Sequence, residues 1–150
     1  MNETSLPIAA NSKRVWSFVI DDMVINVFLM IIFSSPLTAL MSGVTEINEA
    51  SILLFNQFIL DNIAIVLAIK VLYHTLLIWQ SGMTLGKYVM KIKAVDLLNG
   101  SRLSFTQAFW RASVRLISEM FFYIGFVFAF FSSLHQTLHD KLSNCVVIDV

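Results

Sequence analysis

The sequence predicts an all-α membrane protein, with about three transmembrane or re-entrant helices and a small cytoplasmic β-hairpin. Three observations predict it: the composition, three long apolar stretches, and an uneven placement of Lys and Arg between the connections. Of 150 residues, 57% are hydrophobic and 13% charged, about half the charged share of a soluble domain. Thirteen Phe and a mean hydropathy of +0.78 are more than a single core of this size hides from water, so the bilayer is the solvent. The whole chain, 1–150, reads as one membrane domain. Net charge is zero, which leaves no basic field for nucleic acid. The single cysteine, Cys145, excludes an internal disulfide and any Cys cluster for a metal.

The first helix is expected over about 15–33. The polar residues before Lys13-Arg14 are followed by an apolar run too long for a signal-peptide core and without a small-x-small cleavage pattern, so it reads as an uncleaved anchor. Ser34-Ser35-Pro36 opens the first connection, which carries Glu46 and Glu49 but no Lys or Arg. The second helix is expected over about 59–79, close to the roughly 20 residues that cross the hydrocarbon. The connection after it holds Lys87, Lys91, Lys93 and Arg102. Lys and Arg are retained on the cytoplasmic side. The N-terminus and second connection are therefore expected inside, the first connection outside, and the location is the cell (inner) membrane.

Lys91 to Asp96 alternates polar and apolar residues, Asn99-Gly100 is a favoured turn, and Arg102 to Phe105 is expected to return as the partner strand, giving a hairpin over about 90–105. Ser104 followed by Gln107 matches a capping box, so a helical segment starts near Phe105 and runs to about 134. Two readings of that segment stand. As one tilted span it carries the C-terminus outside. As a surface or re-entrant element that breaks near Gly125 it returns the C-terminus inside, where the strand expected at about 145–149 can pair with the hairpin.

In order, the chain shows Arg14-x6-Asp21, Gly82-Met83-Thr84-Leu85-Gly86-Lys87, Val95-Asp96, Asn99-Gly100, and Leu103-Ser104-Phe105 with Arg111. It closes with Gln136 to Leu142 and Val146-Val147. This series, covering nearly the whole chain, resembles the RDD family of small integral membrane proteins, named for an arginine and two aspartates. The resemblance places the family's arginine and first aspartate on Arg14 and Asp21, and the second on Asp140, with Asp22 the other candidate. It implies at most a transport role, including sodium/proton exchange for some members. Lys70, His74 and Glu119 match no position of the family motif.

Rise per residue gives the ionisable residues a depth. Asp21 and Asp22 lie roughly 9 to 11 Å from the inner end of the first span, Lys70 roughly 13 Å and His74 about 7 Å from that of the second. Arg115 and Glu119 repeat the one-turn spacing of Lys70 and His74 and reach the same layer if the third segment inserts from the inner side. A polar cluster of Arg14, Asp21, Asp22, Lys70, His74, Arg115 and Glu119 is therefore expected in the inner half. Two readings stand. One is a set of structural ion pairs that lock helices together, with Arg14 snorkelling to the interface. The other is an ion or proton path of Asp21, Asp22, Lys70, His74 and Glu119, with an aspartate binding the ion, Lys70 as competing cation and His74 as relay.

Gly82 to Lys87 is one residue short of a phosphate loop, and Tyr88 stands where a Ser or Thr would be needed. It reads instead as a structural turn of Gly82, Thr84, Gly86 and Lys87, with Lys87 among lipid headgroups. His135 and His139 are four apart beside Asp140, but a zinc site needs a third ligand. Asp140 is expected to pin the C-terminal segment by accepting hydrogen bonds from backbone or from Arg102, Arg111 or Lys87. No nucleophile with a neighbouring base is visible, so the expectation is not an enzyme, with no cofactor and no metal. The expected partners are the lipid bilayer and either further copies of the chain or a membrane partner protein. The functional expectation is a small transporter or cation/proton exchanger, and the alternative a non-catalytic adaptor docking a partner through the hairpin and C-terminal segment.

Overall fold

The structure, a computed structural model, describes residues 7–122 and 124–150. It is predominantly helical, with a small two-stranded antiparallel sheet. Helices α1 (Asn11–Ser42) and α2 (Glu49–Ser81) are each long and apolar enough to cross a membrane. At about 1.5 Å per residue each is nearly 50 Å long, well beyond the roughly 30 Å of hydrocarbon. Both outrun the expected bounds, because an apolar window locates hydrocarbon depth, whereas a helix continues until its backbone is capped. Ser34-Ser35-Pro36 accordingly does not open the connection. Pro36 lies inside α1, where the Ser34 and Thr38 hydroxyls donate back to Ile31 O and Ser34 O, the way spanning helices accommodate proline. Asn48 and Ser51 form a reciprocal capping box that starts α2, and Gly82, with φ 75°, ends it in the left-handed conformation.

A short helix α3 (Leu85–Val89) follows, then strand β1 (Ile92–Asp96). The return strand expected at Arg102 to Phe105 does not form. Asp96 Oδ1 accepts from the Leu98 and Asn99 amides, Gly100 N donates to Asp96 O, and the Arg102 guanidinium reaches Gln80 O. In β1 the Ala94 amide donates to Gly82 O, and in the expected return strand the Ser104 amide is taken by the Gln107 side chain of the α4 cap, so neither is left for a hairpin ladder. The partner of β1 is β2 (Cys145–Asp149), antiparallel from Ile92 opposite Asp149 to Asp96 opposite Cys145, and Ile8 bridges Ile148 at the sheet's other edge. Both described chain ends therefore lie at one end of the bundle, with the end of α2. A small apolar core sits there, built on Ile78, Ile92, Leu103, Cys145 and Val147.

Helix α4 (Phe105–Met120) starts with the expected Ser104–Gln107 capping box. The chain then bends by 108° into α5 (Ile124–Phe131), and the short helix α6 (Leu138–Leu142) leads to β2. The break falls at Phe121-Phe122, where Phe122 has φ 53°; Tyr123 lies outside the described residues. Gly125 is within α5, where any Cβ would collide with the Ser118 side chain of α4. The third segment is thus a sharply bent helix pair rather than one straight helix, and it returns the chain to β1 through α6 and β2.

Helix α4 is amphipathic in the inverted sense. Its buried stripe is Ala108, Arg111, Ala112, Arg115 and Ser118, while Trp110, Ile117 and Met120 are exposed. Helix α1 buries Ser17, Asp21 and Ile25 and exposes Trp16, Met23, Phe28 and Met30. Charge inside and hydrocarbon outside is the packing expected where the surrounding solvent is lipid.

Candidate functional site

Asp21 is fully buried on the inner face of α1 and accepts from three donors: Thr84 Oγ1 at 2.6 Å, the Gly86 amide at 2.8 Å and Tyr73 Oη at 2.9 Å. It therefore joins α1, α2 and α3 at one carboxylate. The glycine motif has its reason here. A Cβ on Gly86 would run into the Ser17 carbonyl oxygen and come within 2.9 Å of Asp21 Cγ, and one on Gly82 would stand 2.7 Å from Ala94 O. Thr84 caps α3 while donating to Asp21.

Asp140 is the second node, also fully buried. Arg14 Nη2 donates to its Oδ2, while Arg111 Nε and Nη2 donate to its Oδ1 at 2.9 and 2.6 Å. Thr137 N and Cys145 Sγ complete the shell. Burial alone would raise this carboxyl's pKa, but the Arg111 and Arg14 charges overcome it and hold Asp140 well below the usual carboxylate range. Arg14, with a side chain only 10% exposed, is an internal ion-pair partner rather than a snorkelling one. His139 next door is held well below the ordinary histidine range by burial, so its 3.8 Å approach to Asp140 is a neutral contact.

The third feature is a chain of charges linking α1, α2 and α4. Lys70 Nζ lies 3.0 Å from Glu119 Oε2 and 3.5 Å from Asp22 Oδ1. Glu119 Oε1 accepts from Arg115 Nε at 3.1 Å, and Arg115 Nη1 faces His74 Nδ1 at 3.4 Å. Arginine only donates, so His74 Nδ1 is the accepting nitrogen and any ring proton sits on Nε2. Arg115 also lies over the rings of Phe18 and Phe126, 5.0 and 5.9 Å from their centroids.

The expected depth layer is thus divided. Asp22, Lys70, Glu119, Arg115 and His74 form one connected chain. Asp21 stands apart with its three donors, and Arg14 pairs with Asp140 beyond the spans. Lys87 is 5% exposed and lines an internal cavity rather than standing on the outer surface. His135 precedes α6 with φ 51°, so it does not share a helical turn with His139. Sequence reasoning missed Tyr73, whose signal was a lone phenol in an apolar span between Lys70 and His74. It also missed the exposed polar residues of α2: Gln57 donates to Asp61 at 2.7 Å on the helix surface, and a window starting at Ile59 left them near its edge.

Comparison with curated proteins gives three informative relatives. An uncharacterised protein of Rickettsia prowazekii is 34% identical over 98 residues, 63% of this chain and 54% of that protein. A proline-rich antigen homologue of Mycobacterium tuberculosis is 29% identical over 69 residues, 46% of this chain and 29% of its own length. The proline-rich antigen of Mycobacterium leprae is 30% identical over 70 residues, 47% and 28%. The matched part is thus little more than half of the first relative and under a third of the other two. No solved structure matches the chain. The model of the RDD family matches residues 8–144.

Proposed function

Because the chain belongs to the RDD family of membrane proteins, we propose that it is a small cation/proton exchanger, working as an oligomer in the cell membrane with its termini in the cytoplasm. The observation that carries this reading is Lys70, whose one ammonium is shared by two carboxylates, Asp22 and Glu119, on two other helices. With Arg115 the group holds two positive and two negative charges and is balanced. An arriving monovalent cation adds one charge in a medium where net charge is costly. Loss of one proton from Lys70 restores the balance, so cation entry and proton exit are coupled one for one. Asp22 is the entry ligand, since its side chain is 32% exposed against 10% for Glu119. Asp21, already holding three donors, fixes the helices around the path.

A single copy does not enclose a path. Asp22, Asn26 and Asp61 reach the lipid-facing surface, and polar groups there are satisfied by a neighbouring helix. That supports assembly of further copies around α1 and α2. The test is reconstitution into liposomes carrying a pH gradient. Addition of sodium, potassium or lithium collapses the gradient with wild-type protein, and Asp22→Asn abolishes the effect while retaining the wild-type unfolding temperature. A folded protein that moves protons with none of the three cations removes this reading.

The adaptor reading has one observation in its favour: Leu98 is 83% exposed and Leu142 62% exposed, both outside the spanning helices. Paired Leu98→Ser and Leu142→Ser substitutions leave an exchanger's flux intact, whereas they release the partner of an adaptor.

A further inference from the structure

Beside the Asp140 node lies a cavity of about 180 Å³ between the first turns of α1, the inner face of α4, α5 and α6. Arg14, Lys87, Arg111 and Arg115 all line it, together with His139. Among the described residues no carboxylate lines it: Asp140 sits behind the arginines and Glu119 lies on the far side of Arg115. Two buried nitrogens of lining residues, Arg14 Nη1 and His139 Nδ1, have no hydrogen-bond partner. A buried guanidinium nitrogen without an acceptor is costly, and its natural complement is an oxyanion. The mouth is apolar, with Val15 half-exposed and Phe130 64% exposed.

We propose that this cavity is an oxyanion-binding site, taking a phosphate-type group whose oxygens accept from Arg14, Lys87 and Arg115 at the membrane surface. The site shares Arg115 with the Lys70–Glu119 chain but takes neither Lys70, Asp22 nor Glu119 into its lining, so it does not rest on the exchange reading. An apolar mouth over a cationic floor suits the headgroup of an anionic lipid with its chain leaving past Val15 and Phe130. The same floor suits a free oxyanion entering from water. Arg111 is committed through two nitrogens to Asp140, so it supplies charge more than direct contact.

Lys87 gives the site a pH dependence. Burial first, then the neighbouring Arg111 and Arg115 charges, bring its pKa down to about 7, against the opposing pull of Asp21 and Asp140. Facing it are Arg14 and Asp21 from α1, His74 from α2, Arg111 and Arg115 from α4, and His139 and Asp140 from α6. An anion binds the charged lysine better than the neutral one, so binding is strongest below pH 7 and weakens above it.

The test uses the full chain in phosphatidylcholine nanodiscs, with thermal unfolding as readout. One arm adds sulfate and the other replaces part of the lipid by phosphatidylglycerol; neither anion changes charge between pH 6 and 8, so lysine titration alone is read. A rise in unfolding temperature with sulfate identifies a free oxyanion site, and a rise with phosphatidylglycerol alone a headgroup site. In either case apparent affinity drops about tenfold or more in Lys87→Met, the loss of one charge-assisted contact, and falls from pH 6 to 8 only in the wild type. Asn11→Asp, which adds a carboxylate to the cavity wall, weakens binding while leaving every lining cation in place. No shift in either arm, or shifts equal in wild type, Lys87→Met and Asn11→Asp, overturns the proposal.

Discussion

Arg14 and Asp140 stand 126 residues apart in the chain and share a buried ion pair, completed by Arg111 on a third helix. The pair ties the start of α1 to α6 and so holds the C-terminal strand against β1. Two guanidinium groups converge on one carboxylate, and the carboxylate is what makes their burial tolerable.

Removing Asp140 therefore costs more than removing one cation. Asp140→Asn leaves Arg14 and Arg111 facing each other without an anion, and unfolding in detergent should show a loss of about 3–5 kcal/mol. Arg14→Gln leaves Asp140 paired with Arg111, so its loss is smaller. Equal losses from the two variants would contradict this account of the node.

Gly86 should tolerate no side chain. In Gly86→Ala the added methyl meets the Ser17 carbonyl oxygen of α1, so α3 must lift away and loosen the Asp21 hydrogen bonds. A loss of about 1–3 kcal/mol is expected. Gly43→Ala is the control, since its nearest neighbour would be at an ordinary 3.6 Å, and it leaves the unfolding temperature unchanged within error.

Lys87 lowers the stability of the empty protein in a pH-dependent way. Its pKa is about 7 in the fold against 10.5 in the unfolded chain, so between these values the unfolded state binds more protons and stability rises with pH. Below pH 7 the cost is constant and at its largest, on the order of a few kcal/mol. In anion-free buffer Lys87→Met should be more stable than wild type at pH 7, with the advantage shrinking toward pH 10.

Cys145 should resist alkylation until the protein unfolds. Burial first, then the neighbouring Asp140, push its thiol up to about 11, so roughly 0.1% is thiolate at pH 8. Iodoacetamide labelling is expected to follow the unfolding curve, and rapid labelling of the folded chain would show that β2 opens on its own.

On the proposed exchange function, Glu119 and Asp22 should separate stability from transport. Glu119 bridges Lys70 and Arg115 with a side chain 10% exposed, so Glu119→Gln costs both flux and unfolding temperature. Asp22, more open and 3.5 Å from Lys70, should lose flux with little change in stability when replaced by Asn.

Local rules carried much of this fold from residues alone. The apolar lengths gave two spans and an ambiguous third segment, Ser104 and Gln107 gave the start of α4, and the fixed rise of a helix gave Asp22, Lys70 and Glu119 a common depth. Each depends only on residues within a few turns of one another. The tertiary structure decided what closure between distant segments decides: that β1 takes β2 rather than Arg102 to Phe105, that Asp21 is saturated by Tyr73, Thr84 and Gly86, and that Arg14 turns inward to Asp140. Sequence gives a side chain its height and face on its own helix. Which face of the next helix it meets depends on how the helices rotate and tilt against one another, and that is set by packing over the whole chain.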